Sequence, residues 1–228
     1  MPRQTAVTPL SAGMTDHERF IRTTRNVALL CIDLQEMPPT TSREDVDFST
    51  ADVAAFEAGK GTLLQNVKSA QCHARDNGME VVHCKITSMT KDGRDRSRLH
   101  KRMGIHVPPP SAGAQGSSAA GSWMSGVGPR DDEIVFLKTG SNAFVCTNID
   151  YVLKNMGIDR LVCCGVLTDE CVAGTVKAAC DLGYECTVLE DACLAGSLER
   201  HRGSIMTLAR FASVCSTAAW VAFATSKL

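Results

Sequence analysis

Residues 160–189, RLVCCGVLTDECVAGTVKAACDLGYECTVL, alternate between two kinds of hydrophobic pattern. The apolar run Arg160–Gly165 has the length and composition of a buried strand, and Glu185–Leu189 has the same character. Between them, Thr168 is predicted to cap a helix that stops at Gly183. A strand, a helix and a second strand in this order predict a right-handed crossover between parallel strands.

The same alternation continues on both sides of this unit. Further strands are predicted at Asn26–Asp33, Glu80–Ile86, Glu133–Leu137 and Ser213–Ser216, and further helices at Val53–Asp76, Thr147–Met156 and Leu198–Phe211. Strands that alternate with helices of this length are typical of the α/β class. We therefore predict a three-layer α-β-α fold around a doubly wound, mostly parallel six-stranded sheet of the Rossmann-like kind, formed by a single domain over residues 26–225.

Three segments lie outside this pattern. Residues 1–25 are interpreted as an N-terminal arm, and residues 87–131 as a lid or an oligomer-contact loop. The first part of that loop is basic, and we interpret it as a solvated face, with steering of an anionic substrate as the alternative. Its basic residues are Lys91, Arg94, Arg96, Arg98, Lys101 and Arg102. The nearby His100 and His106 are interpreted as solvated too, with contact to substrate as the alternative.

Composition narrows the functional class. The 228 residues carry a net charge of −1, so no overall field favours a nucleic acid or an anionic membrane, and no apolar run is long enough to span a bilayer. Eleven cysteines occur, none in C-x-x-C spacing, and they indicate structural thiols in a reducing or neutral compartment.

The chain ends in Ser226, Lys227 and Leu228. At the extreme C-terminus, this tripeptide is the address that the peroxisomal import receptor binds. It predicts a peroxisome or a related organelle; if the match is a chance tail, the protein is expected in the cytoplasm.

Chemically active side chains follow three of the predicted strands. Asp33 ends the first strand, Lys138 ends the third, and Cys171 lies just beyond the fourth. Open parallel sheets bind ligands at this edge. A thiol in the first turn of a helix is expected to have a lowered pKa, with Asp33 taking its proton and Lys138 keeping Asp33 ionised. Each residue also has a structural alternative: a core thiol, a loop cap and a solvated lysine.

Five blocks of sequence together resemble one protein family. They are CIDLQ (31–35), VVHCK (81–85), KTGSNAFVCTNIDYVL (138–153), GVLTDECV (165–172) and GYECTVLEDAC (183–193). In this order they resemble the isochorismatase-like cysteine hydrolases, which include nicotinamidases, N-carbamoylsarcosine amidohydrolase, biuret hydrolase and ureidoacrylate amidohydrolase.

The resemblance implies roles for individual residues. Asp33, Lys138 and Cys171 would form the catalytic triad, and the backbone N–H groups of Leu167 and Cys171 the oxyanion hole. The Val166–Leu167 peptide bond would be cis. The predicted substrate contacts are Gln35, Phe144, Trp123 and Thr168.

The resemblance also implies a reaction. We expect hydrolysis of a C–N bond in a small amide or ureide through a thioester, in a homo-oligomer, either a dimer or a tetramer. No histidine lies between His17 and His73, where the metal-binding relatives place theirs, so we expect neither a metal nor another cofactor. Two alternatives stay open: a vinyl-ether hydrolase of the isochorismatase type and a non-catalytic thiol redox protein.

Overall fold

A computed structural model describes residues 26–36, 50–102, 107–109 and 121–225. The strands are β1 Val27–Ile32, β2 Glu80–Ile86, β3 Ile134–Lys138, β4 Arg160–Val166, β5 Glu185–Leu194 and β6 Ser213–Cys215. The helices are α1 Thr50–Asp76, α2 Arg98–Arg102, α3 Ala143–Cys146, α4 Ile149–Asn155, α5 Ala173–Asp181, α6 Leu198–Leu208 and α7 Thr217–Thr225, and a π-helical turn, Thr168–Val172, leads into α5. The predicted arm 1–25, His106 and the C-terminal tripeptide lie outside the described residues.

The six strands form one parallel sheet in the order β3-β2-β1-β4-β5-β6. Side chains alternate along each strand and separate into two cores. Leu30 and Cys163 belong to the core that α4, α5 and α6 cover, whereas Leu29 and Cys164 belong to the core under α1 and α7. The predicted single α/β domain with a doubly wound six-stranded sheet is therefore confirmed.

The strand order reverses between β1 and β4. The chain moves outward from β1 to β3, returns to the centre at β4, and moves outward again to β6. Such a reversal leaves a crevice at the carboxyl ends of the two central strands. Gly165 of β4 lies opposite Ile32 of β1 with φ +130°, and a Cβ there would overlap the backbone of Ile32. Glycine at this position therefore allows the two strands to meet at the crevice.

Helix ends agree with the sequence prediction at some positions. The Thr147 hydroxyl accepts a hydrogen bond from the backbone N–H of Ile149 at 3.1 Å, although Asn148 and not Thr147 occupies the N-cap position of α4. Gly157 and Gly183 follow the ends of α4 and α5 with positive φ, as helix-terminating glycines do.

The structure contains three helices that the sequence did not predict, α2, α3 and α7, and one strand that is longer than predicted. The helix α7 was not predicted, because its sequence, TAAWVAFAT, is apolar throughout and lacks a polar face. Strand β5 continues to Leu194, five residues beyond the predicted end. A register shift opposite Cys163 and Gly165 allows pairing with β4 to resume at Cys193.

The segment 87–131 contains more structure than a solvated loop. It includes α2, and Trp123 forms an isolated antiparallel bridge with Gln35. The interpretation as a solvated face is wrong for Arg96 and His100, each only 4% exposed. Its function as a lid or an oligomer contact stays a prediction. None of the helices within the described ranges combines the length and apolarity that a membrane span requires.

Candidate active site

Three side chains meet at the carboxyl edge of the sheet. Asp33 follows β1, Lys138 is the last residue of β3, and Cys171 lies in the π-helical turn after β4. The Lys138 Nζ atom is 2.7 Å from Asp33 Oδ2 and 3.3 Å from Cys171 Sγ. The structure thus brings together the three residues that the sequence predicts for the catalytic centre.

The backbone of Asp33 leaves the strand in a left-handed conformation, with φ 52°. Its N–H donates to the carbonyl of Cys84 at 2.9 Å, and its own carbonyl accepts from Gln35 N at 2.8 Å. Aspartate is one of the few residues that adopts this conformation routinely, at a cost of about 1–2 kcal/mol. Such local strain persists where surrounding structure fixes it and is typical of functional sites.

Lys138 spans the distance from an outer strand to the centre of the sheet. Strand β3 lies two strands from β1, which corresponds to about 10 Å at the usual strand spacing. The ammonium group is fully buried and has three acceptors: Asp33, Cys171 and the carbonyl of Gly140, the last at 2.9 Å. An ammonium has three donors, so each of them has an acceptor here.

The turn that carries Cys171 differs from the predicted start of a helix. Leu167, and not Thr168, occupies the N-cap position, and Leu167 O accepts from Val172 N at 3.2 Å, five residues ahead. The Thr168 hydroxyl instead lies 2.9 Å from His201 Nδ1, and Ser204 Oγ donates to Thr168 O at 3.1 Å. Thr168 is fully buried against α6, which leaves its side chain unable to cap the turn.

The peptide bond between Val166 and Leu167 is cis. It connects β4 directly to the π-helical turn, whose fourth residue is Cys171. Single π-helical turns occur frequently at functional sites. The role of the Leu167 and Cys171 N–H groups as an oxyanion hole stays a prediction.

The electrostatics of the three groups differ from the sequence-based expectation. Burial raises the pKa of the Cys171 thiol, the charge of Asp33 raises it further, and Lys138 opposes both without cancelling them. The expected lowering at the start of a helix is therefore wrong. Burial also raises the pKa of Asp33, against the opposing charge of Lys138. Burial disfavours the ammonium of Lys138, but Asp33 and Cys171 outweigh it and raise its pKa.

These shifts define what the centre can do. At rest the thiol is protonated and Lys138 is charged. Asp33 Oδ2 lies 2.7 Å from Lys138 Nζ, and a hydrogen bond from the Cys171 side chain reaches the same carboxylate, so the thiol proton can pass directly to Asp33. Transfer of the thiol proton to Asp33 would leave the net charge of the buried centre unchanged, and the raised pKa of Asp33 makes it a stronger base for that step.

Gln35, a predicted substrate contact, binds the backbone instead. Its Oε1 accepts from Ile86 N at 2.7 Å and its Nε2 donates to Ile86 O at 3.0 Å. The side chain is fully buried and continues the pairing between β1 and β2 beyond the last residue of β1. The structure therefore gives Gln35 a role in positioning the backbone next to Asp33, and its contact with substrate stays a prediction.

Two aromatic residues predicted to touch substrate pack within the protein. The Trp123 ring meets the His83 ring edge-on at 5.3 Å, and Lys85 Nζ lies 5.1 Å from its centroid. The Phe144 ring lies 5.5 Å from that of Tyr184. Tyr184 immediately precedes β5, at the sheet edge opposite the triad. Trp123 and Phe144 therefore contact different residues, and the contact of each with substrate stays a prediction.

His100, which the sequence predicted to be solvated, is buried near the triad. His100 lies 2.8 Å from Ser97 Oγ through Nδ1 and 3.1 Å from Ser141 Oγ through Nε2. Burial lowers the pKa of His100 to about 4, and the charges of Arg96 and Lys138 act in the same direction. The spacing Ser97-x-x-His100 was a signal for a helix start, since Ser97 Oγ also accepts from His100 N.

Metal ions in proteins are held by groups of His, Cys, Asp or Glu side chains. Within the described ranges, no three His, Cys, Asp or Glu side chains are grouped as metal ligands require. The expectation of a reaction without a metal stays a prediction.

Comparisons with known proteins agree on one family. The family model described as isochorismatase domain matches residues 27–219. The chain is 29% identical to a probable inactive nicotinamidase of Arabidopsis thaliana, over 81% of this chain and 88% of that protein. It is 27% identical to a ureidoacrylate amidohydrolase of Acinetobacter baylyi, over 78% and 80% respectively.

Solved structures share the fold. An isochorismatase family protein from Desulfovibrio vulgaris superposes with a TM-score of 0.66 at 23% identity, over 89% of this chain and all of that one. A pyrazinamidase/nicotinamidase from Streptococcus mutans gives a TM-score of 0.63 at 21% identity, over 83% and 99% of the two chains. At these identities the likeness concerns the fold.

Proposed function

From the premise that this chain belongs to the isochorismatase family of hydrolases, we propose that it hydrolyses a C–N bond of a small amide or ureide. The observation that carries the proposal is the position of Lys138 Nζ, 2.7 Å from Asp33 Oδ2 and 3.3 Å from Cys171 Sγ. A nucleophile and a base oriented by a third charged group form the arrangement that covalent catalysis requires. The ureidoacrylate amidohydrolase among the relatives supports this class of substrate.

The first half-reaction forms a thioester. Asp33 takes the proton of the Cys171 thiol, and the sulfur forms a bond to the carbonyl carbon of the substrate. The N–H groups of Leu167 and Cys171 are proposed to stabilise the oxyanion of the tetrahedral intermediate. The C–N bond then breaks, and the departing nitrogen takes the proton that Asp33 holds.

The second half-reaction releases the product. A water molecule attacks the thioester carbonyl while Asp33 takes one of its protons. The S–C bond breaks, the acid product leaves, and the proton returns from Asp33 to the Cys171 sulfur. Lys138 stays charged throughout, and it stabilises whichever of the two partners is negative at each step.

The test is an ammonia-release screen over primary amides, ureides and carbamoyl compounds. Cys171→Ala is expected to abolish release while its circular dichroism spectrum matches the wild type. Cys180→Ala is the matched control, because Cys180 is a half-buried thiol of α5 outside the triad. Release that survives Cys171→Ala would contradict the proposal. Isochorismate turnover that survives the same substitution would favour vinyl-ether hydrolysis instead.

We also propose that the C-terminal tripeptide 226–228 directs the protein to peroxisomes through their import receptor. A fluorescent fusion that retains these residues at its C-terminus is expected to enter peroxisomes, and the same fusion without them to remain in the cytosol. Equal distribution of both fusions would contradict this.

The proposed homo-oligomer, dimer or tetramer, is tested by light scattering, and a monomeric mass would contradict it.

A further inference from the structure

Arg96 is a buried cation that has no hydrogen-bond partner among the residues that the structure describes. Its side chain is 4% exposed, and none of its three guanidinium nitrogens has a hydrogen-bond acceptor among the described residues. A buried charge that lacks a partner destabilises a fold. Such a group needs an explanation, and a ligand that completes its hydrogen bonds is one.

Two anchors fix the loop on either side of Arg96. The carboxylate of Asp95 accepts from Met89 N at 2.8 Å and from Thr90 Oγ1 at 2.6 Å, which closes the turn before Arg96. After it, Ser97 begins α2, and His100 of that helix contacts Ser141 at 3.1 Å. Ser141 adjoins Gly140, whose carbonyl accepts from Lys138 Nζ. These contacts connect the loop to the rim that holds the triad.

The guanidinium also lies within the field of the catalytic groups. Burial lowers the pKa of Arg96, and the nearby carboxylates of Asp95 and Asp33 oppose this shift without cancelling it. An arginine remains protonated despite such shifts. Lys138 is engaged by Asp33, Cys171 and Gly140, so Arg96 is the cation near the centre whose donors remain unused within the described residues.

We propose that Arg96 binds a carboxylate of the substrate, so that the substrate class is a small amide or ureide that also carries a carboxylate group. This rests on the proposed function, which supplies the scissile C–N bond. Guanidinium and carboxylate form paired, charge-assisted hydrogen bonds, and their geometries match. Lys138 is paired with Asp33, and the carboxylate of Asp95 is held by Met89 N and Thr90 Oγ1, so the guanidinium of Arg96 is the group left to meet a substrate carboxylate.

The test compares two alkylating reagents that differ in charge and little in size. Iodoacetate carries a carboxylate and iodoacetamide a neutral amide, and both transfer their carbon to a thiol with loss of iodide. The rate at Cys171 is read by peptide mass spectrometry, which separates it from the other cysteines. The measured quantity is the ratio of the iodoacetate rate to the iodoacetamide rate.

Arg96→Met is expected to lower this ratio about tenfold or more, the usual worth of a hydrogen bond to a charged group. Arg94→Met is the matched control. Arg94 lies in the same loop, its side chain is 74% exposed, and it pairs with Asp92 at 3.1 Å. It is expected to leave the ratio unchanged. An equal ratio in wild type and Arg96→Met overturns the inference, and so does a Cys171 that neither reagent reaches.

A second measurement separates a ligand role from a structural one. Removal of a buried, unpartnered charge is expected to leave the urea midpoint unchanged or to raise it. Unfolding of Arg96→Met would therefore also overturn the inference. Neither the alkylation-rate ratio nor the urea midpoint requires turnover. If no Cys171-dependent hydrolysis were found, the proposed function would be refuted, but a lowered ratio in Arg96→Met would still show that Arg96 binds a carboxylate.

Discussion

Replacement of Lys138 by methionine removes the ammonium group while it keeps the length of the buried side chain. The wild-type ammonium is fully buried, 2.7 Å from Asp33 Oδ2, and Asp33 itself is 4% exposed. Without Lys138, the carboxylate of Asp33 is a buried charge with no counterion. Loss of one partner of such a pair destabilises a protein by about 3–5 kcal/mol.

Urea denaturation followed by circular dichroism measures this loss. With a slope of about 1–3 kcal/mol per M, the midpoint at pH 7 is expected to fall by about 1 M or more. The loss also depends on pH. The unfolded-state pKa of Asp33 is near 3.8, and Lys138→Met moves the folded-state pKa further above it. Stability then falls as pH rises through this window, so the variant is closer to wild type near pH 4 than at pH 7.

A double-mutant cycle identifies the cause. In an Asp33→Asn background there is no buried negative charge, so Lys138→Met is expected to destabilise the protein by about 2 kcal/mol less than it does in the wild type. An equal loss in both backgrounds would refute the reasoning, because the two groups would then contribute independently.

Two further predictions concern parts of the fold that support the site. Gly165→Ala is expected to prevent folding, as measured by circular dichroism, because its Cβ would overlap the backbone of Ile32. Gly61→Ala is the control: a Cβ there would meet no atom within 4 Å outside its own helix, so the free energy of unfolding is expected to rise by about 0.5–1 kcal/mol. Equal effects of the two substitutions would contradict this prediction. Burial raises the pKa of Glu133, but Arg75 outweighs it and lowers the pKa from 4.5 to about 2. The stabilisation is present above the unfolded-state pKa of Glu133 and is lost as pH falls toward 2. Glu133→Gln is therefore expected to reduce the difference between the urea midpoints measured at pH 7 and at pH 3. An unchanged difference would contradict a stabilising interaction between Glu133 and Arg75.

The elements that the sequence predicted well have local causes. Strand β1 could be recognised because six consecutive residues are apolar and buried on both faces. The position of Asp33, Lys138 and Cys171 at one edge followed from strand ends, since parallel strands share their carboxyl edge. By contrast, α7 packs beside α1 on the same face of the sheet, but its sequence has no amphipathic pattern. Hydrophobic periodicity therefore could not reveal this helix.

The electrostatics of the site could not be predicted because burial is a property of the whole fold. A helix start alone suggests a lowered pKa for Cys171, yet the core around the thiol raises it. Arg96 and His100 lie in a stretch of basic residues, a composition typical of a solvated face. His100 is buried where it contacts Ser141, 41 residues further along the chain, and a contact of such long range cannot be read from local composition.

The most direct test is to quench the wild-type enzyme with acid during turnover of its best amide or ureide substrate. The masses of its proteolytic peptides are then measured by mass spectrometry. If thiol, carboxylate and ammonium operate as one centre, the peptide with Cys171 gains the mass of the acyl fragment, and Asp33→Asn does not accumulate it. Sustained turnover with every cysteine peptide at its unmodified mass, or with the fragment on a different cysteine, would contradict the account.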